Sequence, residues 1–137
     1  MILDAENSIL GRLAAVAAKQ ALLGEEIKII NCEKAIITGD KKGTIETYMK
    51  LLDIGQPQQG PFVQRRPDLF FRRVVRGMLP RRQIRGREAL SRVKCYIGVP
   101  PGISEKGSVL KGMKTLKARK SNLTVGELCI HLGDNKR

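Results

Sequence analysis

The chain has 137 residues, 42% of them hydrophobic, and carries 26 Lys and Arg against 13 Asp and Glu, a formal charge of +13. That length suits one domain around one hydrophobic core, and the apolar content excludes a compositionally disordered or fibrous chain. The charge makes a polyanion the expected partner.

The first residues, MILDAENSILGRLAAVAAKQALL, are interrupted by Asp4, Glu6, Arg12 and Lys19. They read as neither a signal peptide nor a membrane span, so a cytosolic location without a membrane partner is expected. MIL is a short apolar lead-in. Asn7 or Ser8 can cap a helix in which Ile9, Leu13, Val16 and Leu23 recur at helical spacing, with Gly24 as its stop. IKII at 27–30 and AIIT at 35–38 are short and β-branched, as buried strands are, and the polar NCEK connects them. DKKGTIETYMKLLDIG returns to helical spacing through Ile45, Tyr48, Met49 and Leu52. Strands separated by a helical run predict a βαβ crossover, and therefore an α/β fold whose helices pack on a parallel sheet.

At residues 53–64 the composition changes to DIGQPQQGPFVQ, an exposed loop rather than a domain linker. The next thirty residues, Arg65 to Lys94, hold eleven Lys or Arg and only Asp68 and Glu88 as acids. Pro67 suits a first helical turn, Asp68 complements the positive end of the helix dipole, and Pro80 stops the run, which predicts a helix over Asp68 to Leu79. At about 100° per residue, Phe70, Phe71, Val74, Val75, Met78 and Leu79 share one half of that helix, and Arg72, Arg73 and Arg76 form a stripe opposite. From Arg81 to Lys94, Ala89, Leu90 and Val93 can face a core. Arg81, Arg82, Arg85, Arg87, Arg92 and Lys94 point in several directions, as a segment gripped on more than one side by folded RNA would require. Arg outnumbers Lys ten to one in these thirty residues, and guanidinium groups make the planar, bidentate phosphate contacts that ammonium groups cannot. A solubilising charged helix is the plainer alternative, although such surfaces normally mix both signs.

CYIGVP at 95–100 reads as a further strand ending in a turn. GISEKGSVLKGMKTLKARKSN after it is Lys-rich, with no core of its own. Thr124 followed by Glu127 is a capping box, which predicts a short final helix with Leu128 and His131 or Leu132 on its packing side. Cys32, Cys95 and Cys129 are widely spaced and odd in number, and they match no disulfide framework or metal spacing; buried reduced thiols are expected.

Catalytic chemistry has little to stand on. His131 is the single histidine, and with Cys129 it completes neither a metal site nor a nucleophile with its base, so no metal, cofactor or small-molecule substrate is expected. TGDKKGT at 38–44 lacks the GxxxxGK[ST] spacing of a phosphate loop, and Lys41 and Lys42 suit a nucleic-acid backbone or solvent better. Zinc-finger spacing, a leucine-zipper heptad and an RNP aromatic signature are missing, and base-stacking platforms are scarce: the chain has three Phe, two Tyr and no Trp. Recognition of RNA shape and phosphate is left. A small nucleotide-dependent or RNA-modifying α/β enzyme built around Gly39 to Gly43 stays open as the alternative, as does a regulatory mRNA binder.

NSILGRLA at 7–14, IINCEKAIITGDKKG at 29–43, RRPDLFFRRVVRGMLPRR at 65–82, RGREAL at 85–90 and VKCYIGVP at 93–100 together resemble the large-subunit ribosomal protein thirteen family, in its archaeal form. The likeness covers nearly the whole chain. It implies a three-layer α/β/α domain around a mainly parallel four-stranded sheet, with an α/β core over 1–102 that includes the Arg-rich segment 65–94. A basic C-terminal extension over 103–137 would end in a short helix of the same domain. It also implies a structural, non-enzymatic constituent of the large ribosomal subunit in the cytoplasm, present once per ribosome rather than as a homo-oligomer. Large-subunit rRNA and neighbouring ribosomal proteins would be its partners, and it would join the subunit early in assembly. Carried over by motif, Arg72, Arg73, Arg76, Arg81 and Arg82 contact rRNA, Gly77 permits close approach, and Met78 and Leu79 pack inward. Arg65, Arg66, Arg85, Arg87, Arg92 and Lys94 extend this surface, Lys41 and Lys42 flank it, and Lys114, Lys117, Arg119 and Lys120 add a basic tail.

Overall fold

A computed structural model of the chain describes residues 1–103 and 122–134. Lys114, Lys117, Arg119 and Lys120 lie outside the described residues. Three strands, β1 (Ile2–Asp4), β2 (Ile27–Ile30) and β4 (Val93–Cys95), form one parallel sheet in the order β1-β2-β4. Ile2 faces Lys28 across one ladder, and Ile27 faces Val93 across the other. The mixed α/β class and the parallel pairing agree with the sequence pattern. The expected fourth strand does not join this sheet: β3 (Ile36–Ile37) pairs antiparallel with β5 (Leu123–Thr124) as a separate ribbon.

The reason lies in the turn after β2. Asn31 takes a left-handed conformation with φ 54°, which Asn tolerates because its short amide bonds locally. Its side-chain amide donates to Asp4 Oδ1 at 3.0 Å, and its backbone N–H donates to the Gly98 carbonyl at 3.0 Å. A 3-10 turn over Cys32–Lys34 follows. The chain is thereby turned out of the sheet before Ile36, whose N–H donates to the Ser8 carbonyl at 2.9 Å.

Helix α1 (Leu10–Leu22) starts at Ile9 without a side-chain cap, so neither Asn7 nor Ser8 plays the expected capping part. Ser8 is fully buried, with its hydroxyl 3.4 Å from the carbonyls of Asp4 and Glu6. Gly24 does stop the helix. At φ 102° its N–H donates to the Ala21 carbonyl, and the following Glu25 N–H reaches back to the Gln20 carbonyl, a paired closure that needs the left-handed backbone glycine supplies. Leu23 is exposed rather than packed. The buried face consists of Leu10, Leu13, Ala14, Ala17, Ala18 and Ala21. Its small side chains let α1 lie close against two later helices, α3 (Pro67–Gly77) and α4 (Ile84–Arg92).

Helix α2 (Lys41–Asp53) is capped by Asp40, which accepts the Gly43 N–H at 2.7 Å. Ile45, Tyr48 and Leu52 pack on the core, while Met49 faces outward. Helix α3 has Pro67 in its first turn and buries Phe70, Phe71 and Val75. It ends two residues earlier than its apolar spacing suggests. Met78 takes the helix-ending position and is exposed, against the expected inward packing, whereas Leu79 is buried. The Phe70 and Tyr48 rings sit tilted at 5.4 Å, joining α2 to α3.

Helix α4 runs directly into β4, so the strand covers Val93–Cys95 and ends where the expected CYIGVP strand starts; residues 96–100 form no strand. Helix α5 (Val125–His131) carries the expected capping box: Thr124 accepts the Glu127 N–H, and Glu127 accepts the Thr124 N–H. Leu128 and Leu132 pack, and His131 is exposed. Leu123, Val125, Leu128 and Cys129 join the single core together with Ile27, Ile29, Phe71 and Val75. Helix α5 is therefore packed into the core.

Between α3 and α4 the chain passes through Leu79 and Pro80 in a tight turn, and α4 crosses back over it at Gly86. A Cβ built on Gly86 would lie 2.2 Å from the Pro80 carbonyl oxygen, which is backbone and cannot swing aside. Gly86→Ala is expected to cost about 1–3 kcal/mol by forcing α4 off the turn, read as a lower urea midpoint with unchanged slope. A wild-type midpoint would mean that α4 does not lie this close.

Candidate nucleic-acid interface

Two helices and one turn position the arginines. The apolar faces of α3 and α4 are committed to the core through Phe70, Phe71, Val75 and Ala89, so the intervening positions must point outward. Arg72, Arg73, Arg81, Arg82, Arg85 and Arg87 are exposed, as are Arg65, Arg66 and Lys94. Arg76 and Arg92 are half-buried. Arg72, Arg73 and Arg76 line one side of a groove of about 300 Å³, with Leu69 and Leu90 as its apolar floor.

The structure divides these cations into two groups that the sequence spacing could not separate. One group has protein partners. Arg72 donates to the Leu90 carbonyl at 3.3 Å, bracing α3 on α4, and Arg73 donates to the Phe62 carbonyl, fastening the 53–64 loop. Arg66 pairs with Asp68 at 3.0 Å, and Arg85 donates to the Gln83 side chain at 2.6 Å. Arg92 donates to the Ala21 carbonyl at 3.3 Å, in the last turn of α1, and lies 3.8 Å from Glu88. A cation on a helix C-terminal carbonyl opposes the dipole there. Arg92 is thus first a structural cap, and its spacing carried no sign of this because Ala21 is distant in the chain.

The second group comprises Arg76, Arg81, Arg82, Arg87 and Lys94, with Arg65 near the end of α5. Among the described residues these side chains form none of the ion pairs or hydrogen bonds that hold the first group. Arg81 and Arg82 sit at the tip of the turn, where the Arg81 N–H donates to the Leu79 carbonyl at 2.8 Å and the Gln83 N–H to the Pro80 carbonyl at 3.0 Å. Gly77, just before it, is exposed with open space around its α-carbon. Such a display of guanidinium groups can take phosphates bidentately.

The Gly39 to Gly43 region does not provide a rival nucleotide site. The Asp40 carboxylate occupies the N-terminus of α2, where a phosphate would have to bind, and Lys41 pairs with Glu127 at 3.2 Å. Lys41 thereby ties α2 to α5, while Lys42 stays exposed. Burial raises the Tyr48 phenol above its ordinary 10.0, with the Arg73 guanidinium pulling the other way. No cluster of three metal-ligating side chains occurs among the described residues. No helix there is long and apolar enough to cross a membrane.

Comparison with known proteins places these features in a lineage. A family model described as Ribosomal protein L13 matches residues 1–101. A large ribosomal subunit protein uL13 from Methanopyrus kandleri is 49% identical over 138 residues, covering 96% of this chain and 86% of the relative. The protein of the same name from Haloarcula marismortui is 45% identical over 139 residues, with 99% and 92% covered. That from Methanococcus maripaludis is 44% identical over 137 residues, with 97% of each covered.

The division into braced and unbraced cations is testable without RNA. Arg92→Ala is expected to destabilise the free protein by about 1 kcal/mol, because the end of α1 is left without its cationic cap. Arg81→Ala and Arg82→Ala should each stay within about 0.5 kcal/mol of wild type, as surface changes do. Chemical denaturation compares the three, and equal losses would remove the distinction.

Proposed function

The chain belongs to the ribosomal protein L13 family, whose members are structural, non-enzymatic components of the ribosome, and on that footing we propose that it holds large-subunit rRNA through the outer face of its α3–α4 segment. The observation that carries this reading is the set Arg76, Arg81, Arg82 and Arg87 on α3, the turn and α4, with Lys94 in β4 just after them, displayed without the braces that hold their neighbours. Each guanidinium that meets a phosphate releases condensed counterions, and rRNA segments that repel one another are drawn on to one protein surface. Gly77 leaves the RNA backbone room to approach. Arg72 and Arg73 hold α3 to its surroundings and present their remaining N–H donors to the same groove. Arg65, Arg66, Arg85, Lys42 and the tail cations Lys114, Lys117, Arg119 and Lys120 are secondary contacts in this reading, and Arg92 and Lys41 contribute mainly by bracing the fold.

The same reading assigns residues 1–102 to the rRNA-binding core and 103–137 to a basic extension of the same domain. The protein works as one copy in each large subunit, beside neighbouring ribosomal proteins, in the cytoplasm. It enters early in assembly, because a preformed core can fix the geometry of RNA that is still folding. It needs no cofactor or small-molecule substrate.

Two measurements test this. Gentle lysis and sucrose-gradient sedimentation, repeated at high salt with quantitative mass spectrometry, should place the chain in the large-subunit fractions at near one copy per particle; a mostly free pool would overturn a constitutive role. With a purified rRNA fragment, changing Arg76, Arg81 and Arg82 together to Ala should lower the log-log salt slope of binding by about 2 to 3, at roughly 0.7–0.9 for each phosphate no longer neutralised. An unchanged slope would move the interface elsewhere on the molecule.

A further inference from the structure

Cys32 and Cys95 are far apart in the chain and adjacent in the fold. Cys95 ends β4 in register with Ile29 of β2. Cys32 opens the 3-10 turn that follows β2, with its sulfur 3.6 Å from the Ile29 carbonyl oxygen. Backbone bonds clamp this turn to the end of β4: the Cys32 N–H donates to the Tyr96 carbonyl at 3.1 Å, and the Tyr96 N–H donates to the Ile29 carbonyl at 2.8 Å. The Ile29 carbonyl beside the Cys32 sulfur is the same one that accepts the Tyr96 N–H, so Cys32 and Cys95 flank one hydrogen-bonded junction. A disulfide needs Cα atoms roughly 4.4–6.8 Å apart, and segments joined by backbone hydrogen bonds, as these are, run at about that separation.

Burial is unequal between the two. Cys32 is wholly buried, whereas Cys95 is half-buried and lines a groove of about 350 Å³ shared with Asp68, Arg72, Lys94 and Tyr96. A partly exposed sulfur beside basic side chains is the usual setting of an oxidisable cysteine. The neighbouring Cys95 and burial push the Cys32 thiol above its ordinary range. Cys129 provides an internal control: it is buried in α5, and burial, with Asp134 and Asp68, pushes it up to about 12.

We propose that Cys95 and Cys32 form an oxidisable dithiol that a hydroperoxide converts to an intramolecular disulfide. The Cys95 sulfur attacks the peroxide, the O–O bond breaks, and one oxygen stays on sulfur as a sulfenic acid while the other leaves as water. The Cys32 sulfur then attacks the Cys95 sulfur; the S–O bond breaks, and the departing hydroxide takes the Cys32 proton as a second water. Two electrons pass from the thiol pair to one peroxide. The bond closes the chain between the end of β2 and the end of β4, a loop that contains the whole arginine-bearing segment, and so restricts the unfolded state.

The test uses the full-length protein free of RNA, treated with hydrogen peroxide at neutral pH, blocked with iodoacetamide and digested without reductant. The expected result is a peptide pair joining Cys32 to Cys95. The number of titratable thiols should fall from three to one, dithiothreitol should restore it, and the oxidised form should show a higher unfolding midpoint. Cys129→Ser should still form the bond, and Cys95→Ser should keep both remaining thiols after the same treatment. Cys95→Ser changes a half-buried position, and circular dichroism establishes that it folds. Cys95 oxidised to sulfinic acid with Cys32 still a thiol, Cys95 linking two chains, or three thiols surviving in the wild-type protein would each overturn the proposal.

Discussion

Because β2 pairs in parallel with both of its neighbours, the chain must twice cross the sheet to return in the same direction. Helix α1 makes the first crossing, between β1 and β2. The second, from β2 to β4, contains α2, the 53–64 loop, α3 and α4. The arginine-rich segment is therefore an obligatory connection in the sheet and not an arm appended to it. One face of α3 and α4 has to bury Phe70, Phe71, Val75 and Ala89 for β4 to reach β2. The outward face then presents its cations from packed helices rather than from a loose arm.

The charge this face carries is tolerable for the free protein on simple grounds. Two exposed cations about 7 Å apart in water repel by roughly 0.6 kcal/mol, and beyond about 8–10 Å salt screens most of what is left. Burial of a single Ile or Phe is worth about 1.5–3 kcal/mol, and Ile27, Ile29, Ile30 and Phe71 are all fully buried. The core thus outweighs the repulsion pair by pair. Part of the charge is also used internally: Arg72, Arg73 and Arg92 each donate to a backbone carbonyl of another element. Those bonds set the spacing at which the unbraced arginines face outward, so the two groups act in sequence, one holding the frame and the other exposed on it.

The end of β2 concentrates the remaining long-range order. Within a few residues, Asn31 binds Asp4 and Gly98, Cys32 binds Tyr96, and the Ser8 carbonyl accepts from Ile36. This knot joins β1, β4 and the start of β3 at one point. It also sets Cys32 beside the end of β4, where Cys95 lies, in a place where an added covalent bond would reinforce a junction that hydrogen bonds already define.

Features governed by neighbours in the chain were legible from sequence. The Thr124–Glu127 capping box, Gly24 as a helix stop, Pro67 in a first turn and the apolar half of α3 all act within four or five residues, and each stands as its spacing indicates. Composition likewise pointed to a polyanion partner, and the LGRLA, RGMLP and YIGVP segments to the family. Features that depend on what packs against what were not legible. Leu23, Met49 and Met78 hold helical spacing yet face solvent, while other residues of their helices supply the packed faces. Ile36 and Ile37 have the composition of a sheet strand, but the left-handed Asn31 turns them aside. Guanidinium groups of one charge and one chemistry divide into braces and free contacts only when folding brings a carbonyl such as that of Ala21 within reach. The class of fold, the local punctuation and the sign of the partner's charge thus belong to the chain as written, because they follow from short-range chemistry and summed composition. Which arginines remain available and which cysteines meet belongs to the folded molecule, because both are set by contacts between residues tens of positions apart.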